Sequence, residues 1–172
     1  MGSDKAFALW EGRTLLQRAL ETVRQVTAQC RIVGTREKFA HFGQVVEDVY
    51  PDRGPLGGID AALKDSVTDL NLVLAVDLPY VSSDFLLYLV KQARSSTALM
   101  TLPRTSDGWQ PLCAVYRKRF GEVADGALRE GRNAVHTLVE NSAPRVIDEV
   151  ELRVKNFSVG MFRNVNAPAD LA

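Results

Sequence analysis

The chain has 172 residues, 46% of them hydrophobic, with 21 Lys plus Arg against 21 Asp plus Glu. That length and apolar content fit one folded domain with its own core and exclude a disordered chain. The balanced charge excludes bulk electrostatic capture by nucleic acid or an anionic membrane, though not a local anion site. Cys30 and Cys113 lie far apart, each beside an apolar run, with no CxxC pair and no His/Cys cluster. They read as reduced, buried thiols, and a structural zinc site is set aside. No stretch reaches the ~18 to 20 apolar residues needed to span a bilayer. The start, Met1-Gly2-Ser3-Asp4-Lys5, is polar with no h-region, so a soluble cytoplasmic protein without a signal peptide is expected.

In chain order, Thr14 to Thr27 carries Leu15, Leu16, Ala19, Leu20, Val23 and Val26 on one helical face, with Thr14 or Gly12 at its cap. Arg31 to Gly34 and Gln44 to Asp48 read as short strands, the second ending on an acidic pair. Asp52 to Gly58 is a loop that runs into a helix through about Ser66. Leu72-Val73-Leu74-Ala75-Val76-Asp77-Leu78-Pro79 is an apolar run ending on one carboxylate, the pattern of a strand buried on both faces. Ser82 to Ala93 is an amphipathic helix capped by Ser82 or Ser83 with Asp84. There follow a strand at Ala98 to Leu102, a strand at Gln110 to Arg117 and a helix at Phe120 to Arg129. A short helix at Ala134 to Glu140 and a strand at Arg145 to Val150 come next, and Pro168 starts a last short helix. Alternating strands and helices give an α/β fold with a mostly parallel sheet in a single domain over residues 1–172. Such a sheet ordinarily begins with a strand, yet a helix comes first here.

Five segments carry candidate chemistry. Lys5, behind a Gly-containing turn, suits a phosphate, or is a solvated lysine. Asp48, just past a strand, suits a base or ribose, or is a turn cap. In Arg53-Gly54-Pro55-Leu56-Gly57-Gly58-Ile59 the glycines allow close approach of a ligand to backbone, or make a tight loop-to-helix turn. Asp77 stands where open α/β sheets place ligands and suits one oxygen of a Mg2+ shell. Its alternatives are a cap for the following helix and the strand-end Asp of a receiver domain. Asn164-Val165-Asn166 puts two amides on one side of an extended segment, or makes an Asn-rich turn. His41 and His136 lack a Ser or Cys partner pattern and read as structural or surface residues. No GxSxG or HExxH occurs, which removes serine-hydrolase and zinc-protease readings.

In this order the segments resemble one family. Met1-Gly2-Ser3-Asp4-Lys5-Ala6 is similar to the end of the pattern L-A-G-G-x-S-x-R-M-G-x-D-K-A that opens the molybdenum cofactor guanylyltransferases. Glu47-Asp48, Gly54-Pro55-Leu56-Gly57-Gly58, Val76-Asp77-Leu78-Pro79, Pro111 to Arg117 and Phe162 to Leu171 resemble the later blocks, so the likeness runs over essentially the whole chain. It implies a three-layer α/β sandwich with a mostly parallel, Rossmann-like sheet, of the nucleotide-diphospho-sugar transferase type. The activity it implies is transfer of GMP from GTP to the terminal phosphate of molybdopterin, with release of pyrophosphate. Lys5 would neutralise the triphosphate, Asp48 and Pro55-Leu56-Gly57-Gly58 hold the nucleoside, and Asp77 carry Mg2+. Asn164 and Asn166 would lie on the pterin side.

Two departures stand out. The family's first strand and Gly-rich loop have no counterpart, which makes Met1 the internal methionine of the R-M-G motif. Ala167 stands where the family commonly has Thr. Such chemistry needs positioning and charge neutralisation more than a protein nucleophile, which agrees with the lack of a His/Ser or Cys/His pairing. The expected partners are GTP and molybdopterin, with transient contact to cofactor-biosynthesis proteins or molybdoenzyme chaperones, and no nucleic acid or membrane. A cytidylyltransferase for the same pterin, a sugar-phosphate nucleotidyltransferase and a non-catalytic nucleotide-binding module stay open as alternatives.

Overall fold

A computed structural model describes residues 5–50 and 53–165. After a 3-10 turn at Lys5–Phe7, a small hairpin pairs β1 (Leu9–Trp10) antiparallel with β2 (Arg13–Thr14). Its two turn residues, Glu11 and Gly12, have φ of 47° and 78°, the two positive values of a type I′ turn. Thr14 then caps helix α1 (Leu15–Arg24): its hydroxyl accepts from the Gln17 N–H while the Gln17 side chain accepts from the Thr14 N–H. This reciprocal box fixes the start of the helix expected there. A parallel pair follows, β3 (Ile32–Val33) with β4 (Val45–Val46), and the short helix α2 (Arg36–Phe39) lies between them in sequence. Helix α3 (Gly54–Asp65) leads to β5 (Leu70–Leu74). Ser82 caps α4 (Ser83–Arg94) by accepting from the Phe85 N–H at 3.3 Å. The rest of the sheet is β6 (Met100–Thr105), β7 (Gly108–Trp109), β8 (Cys113–Arg117) and β9 (Arg145–Ile147). Helices α5 (Phe120–Arg129), α6 (Val135–Asn141) and α7 (Glu149–Val154) complete the described chain.

The α/β class holds, but adjacent strands are not mostly parallel. In the order β5-β8-β6-β7, β8 runs antiparallel to both β5 and β6, and only β9 on β6 and β4 on β3 pair in parallel. The reason is the connection: β6 turns back through β7 into β8 with no helix between, so the chain re-enters the sheet from the opposite end. The strand expected at Arg145 to Val150 stops at Ile147. There Asp148 accepts from the Glu151 N–H at 2.8 Å and starts α7, which the spacing alone did not reveal.

Helices cover both faces of the sheet. On one, α3, α5 and α6 bury Leu56, Ile59, Leu63, Phe120 and Leu128 against Met100, Leu102 and Tyr116. On the other, α4 and α7 bury Phe85, Leu86, Leu89 and Leu152 against Cys113 and Val115. Truncating a side chain such as Phe85, which is fully buried, to alanine costs about 3–5 kcal/mol. The Tyr116 hydroxyl donates to the Pro111 carbonyl at 2.8 Å, which lets a phenol lie in this core. Both cysteines are free, and burial pushes the Cys113 thiol far up. The strand around Leu72 departs from expectation: every residue from Leu70 to Asp77 is only half-buried. Among the described residues β5 pairs on one side only, with β8, so one edge of what reads as a central strand is open there.

Candidate nucleotide site

That open edge forms one wall of a slot of about 990 Å³. β3 supplies the opposite wall with Ile32 and Val33, α1 lies along one face with Leu16 and Leu20, and α3 along the other with Ile59 and Ala62. Four residues singled out from the sequence line this slot: Lys5, Pro55, Gly58 and Asp77. Lys5 and Asp77 both line the slot, and their chain neighbours Ala6 and Val76 pack in one apolar cluster with Leu16 and Ile32. The slot thus combines one cation and one carboxylate with mostly apolar walls, a lining compatible with a charged ligand.

Asp77 lies three residues beyond β5. It does not cap α4, whose cap is Ser82. Its carbonyl instead accepts from the Val165 N–H at 3.0 Å, which brings the exposed Asn164 near Asp77. Asn166 and Pro168 lie outside the described residues. Among those described, no group of three His, Cys, Asp or Glu side chains could hold a metal by itself. A lone carboxylate fits a cation that keeps waters and phosphate oxygens as its other ligands, as Mg2+ does.

Asp48 stands beside α3, where its Oδ1 accepts from the Tyr50 N–H at 2.8 Å. The glycines of the Arg53 to Ile59 stretch serve different ends. Gly54, at the start of α3, has φ +63°, which suits a residue without Cβ. At Gly57 a Cβ would come within 2.6 Å of Asp48 Oδ2, and at Gly58 it would meet Val33 at 3.4 Å. The absent side chain at Gly57 therefore makes room for the Asp48 carboxylate. Leu56 is fully buried in the core below.

The segment carrying Asp48 is held by groups that the sequence did not flag. Tyr50 donates its hydroxyl to Asp125 of α5 at 3.0 Å, and Lys64 bridges Asp125 and the fully buried Asp60 at 2.5 and 2.8 Å. The bond from Lys64 holds the Asp125 carboxyl below the usual range, with Tyr50 assisting. Nothing in the spacing links Tyr50 to Asp125, because the contact spans two elements distant in sequence.

A second unanticipated group centres on Tyr80, three residues after Asp77. Trp10 of the β1–β2 hairpin packs edge-on against Tyr80, centroids 5.1 Å apart. Arg18 lies 3.7 Å over the Trp10 ring, and Arg163 donates to the Tyr80 hydroxyl at 3.0 Å. His41 and His136 are exposed and stand apart from all of this.

Comparison with known proteins gives the family. The model of the MobA-like NTP transferase domain matches residues 1–146. The chain belongs to that family. A relative from Deinococcus radiodurans, named as a probable molybdenum cofactor guanylyltransferase, is 32% identical over 99% of this chain and 85% of its own length. Among solved structures, molybdopterin-guanine dinucleotide biosynthesis protein A from Archaeoglobus fulgidus superposes with a TM-score of 0.83 at 24% identity, over 99% of this chain and 88% of that one. A more distant fold neighbour from Mycobacterium tuberculosis, described as a complex with manganese, gives 0.59 at 18% identity, over 86% of this chain and 82% of that one. The family is one of nucleotidyltransferases with this mixed α/β sandwich. No helix among the described residues is long and apolar enough to cross a membrane.

Proposed function

We propose that this protein transfers GMP from GTP to the terminal phosphate of molybdopterin and releases pyrophosphate. The observation that carries this reading is that a cation and a carboxylate, Lys5 and Asp77, both line the slot, and Asp77 is not consumed in capping α4. The relatives' names supply the substrate pair.

An oxygen of the acceptor phosphate attacks the α-phosphorus of GTP, and the bond to the leaving pyrophosphate breaks. That oxygen is already ionised at neutral pH, so no protein base is needed. Lys5 offsets triphosphate charge, and Asp48, braced by Gly57 and Tyr50, holds the nucleoside. Magnesium, held through Asp77 and the phosphates, would polarise the α-phosphate and offset charge on the leaving group. Asn164, with Tyr80 and Trp10, whose rings suit a flat pterin, is assigned to the acceptor side, and Asn166 is assigned there by the resemblance alone. The protein acts in the cytoplasm, with transient contact to cofactor-biosynthesis proteins or molybdoenzyme chaperones.

Pyrophosphate release with molybdopterin and magnesium, GTP against CTP, is the test. Release with GTP alone supports the proposal. Equal or greater release with CTP replaces it with the cytidylyl reading, and nucleotide-dependent thermal stabilisation without release leaves only a binding module.

A further inference from the structure

We infer that Asp125, on α5, is a positioning residue for nucleotide binding: through the Tyr50 hydroxyl it sets where the Asp48 carboxylate stands beside α3. This rests on the proposed reading of Asp48 as the group that holds the nucleoside.

Asp48 and Tyr50 lie between β4 and α3, outside any strand or helix. A side chain in such a segment is placed by the bonds its neighbours make. Tyr50 makes two, at its opposite ends. Its N–H donates to Asp48 Oδ1 at 2.8 Å, and its hydroxyl donates to Asp125 Oδ1 at 3.0 Å. Between them the half-buried ring packs on the apolar cluster that α3 and α5 share. A tyrosine side chain has only two torsions, so fixing its tip restricts its own backbone and the carboxylate bonded there.

The anchor at the tip is itself held by two cations. Asp125 pairs with Lys64 of α3 at 2.5 Å and with Arg129 of α5 at 2.7 Å. Lys64 is tied in place because it is also the counter-ion of the fully buried Asp60, 2.8 Å away, and a buried carboxylate left without its cation is strongly destabilising. The same ammonium lies 5.1 Å over the Tyr50 ring, so it orients both partners of the hydroxyl bond. The bond from Lys64 holds the Asp125 carboxyl below the usual range, and an ionised acceptor makes the stronger bond to a phenol.

Packing of α3 on α5 does not require the Tyr50–Asp125 bond, since Ile59, Leu63, Phe120, Ala124 and Leu128 fill that contact with apolar side chains. What the bond adds is direction. Gly57 leaves the space that the Asp48 carboxylate occupies, Tyr50 supplies a bond to that carboxylate, and Asp125 fixes Tyr50. A binding group held to within about 0.5 Å needs little reordering when its ligand arrives, so loss of the anchor should appear in affinity and not in the chemical step.

The test measures GTP–Mg2+ affinity by isothermal titration, exchange of the residue 50 amide hydrogen and pyrophosphate release in a set of variants. Tyr50→Phe, which loses only the hydroxyl, should weaken GTP about fivefold to tenfold, speed that exchange about tenfold and leave kcat within about twofold. Asp125→Ala should do the same, and the double variant should be no worse than either single, because both remove one bond. Asp125→Asn keeps an oxygen for the hydroxyl, while Arg129, with its side chain 72% exposed, can turn to solvent. That variant should bring affinity back to within about twofold of wild type. Asp48→Ala is the reference. If it leaves GTP affinity unchanged, the nucleoside role of Asp48 falls and the inference with it. If Asp48→Ala weakens GTP but Tyr50→Phe, with a wild-type unfolding midpoint, does not, the inference alone falls. Additive losses in the double variant, or a drop in kcat as large as the drop in affinity, would also overturn it.

Discussion

The Asp48 carboxylate occupies the space that a side chain at Gly57 would need: a Cβ built there lies 2.6 Å from Asp48 Oδ2 and 3.1 Å from the Tyr50 carbonyl. Gly57→Ala should therefore push the 48–50 segment away from α3. The expected result is a nucleotide KM raised about tenfold and a loss of about 1–3 kcal/mol in stability, measured by steady-state kinetics and urea unfolding. Gly126→Ala is the control: no atom lies within 4 Å of its added Cβ, in the body of α5. That change should stabilise by about 0.5–1 kcal/mol.

Asp77→Asn removes that charge from the slot and touches neither the α4 cap nor the backbone bond from Val165. Turnover should fall by about 100-fold or more with the unfolding midpoint unchanged. Near wild-type pyrophosphate release would remove the metal role from this residue.

On the opposite side of the sheet, Glu151 accepts from Tyr88 at 2.5 Å and from Arg145 at 2.6 Å. Burial alone would raise the Glu151 carboxyl, but the bonds from Arg145 and Tyr88 outweigh it and hold it below its ordinary value. Burial first, and then Glu151, push the Tyr88 hydroxyl up to about 12. A lowered carboxyl gives stability that is present above its unfolded pKa, about 4.3, and that disappears as pH falls through the folded value. Glu151→Gln should cost about 1–2 kcal/mol at pH 7. In urea titrations the gap to wild type should close below about pH 4.

Tyr80 separates two roles for the aromatic rim. If its ring receives the pterin, Tyr80→Ala should raise the KM for molybdopterin about tenfold while leaving that for GTP within about twofold. Tyr80→Phe keeps the contact with Trp10 and loses only the bond from Arg163, so it should stay close to wild type. A matched rise in both KM values for Tyr80→Ala would point to a general loss of the rim instead.

The features legible in the chain were those set by near neighbours. Leu15, Leu16 and Leu20 fall on one helical face, so α1 could be read directly, with Thr14, its cap, as one of the two candidates. The apolar run read as a strand ending at Asp77 does hold a strand, but β5 ends at Leu74, three residues earlier. The β1–β2 hairpin was missed because Glu11, unlike Asn or Asp, seldom takes the positive φ of a type I′ turn. The start of α7 was missed because its apolar residues merge with those of β9. What only the folded chain decided were relations across it: Asp48 against Gly57, Tyr50 on Asp125, Trp10 on Tyr80, and the direction of β8. Local spacing determines which way a residue faces along its own element, whereas pairing partner, burial and an open edge depend on what is packed alongside. That is why Leu72, apolar on every local criterion, is half-buried at the wall of a slot.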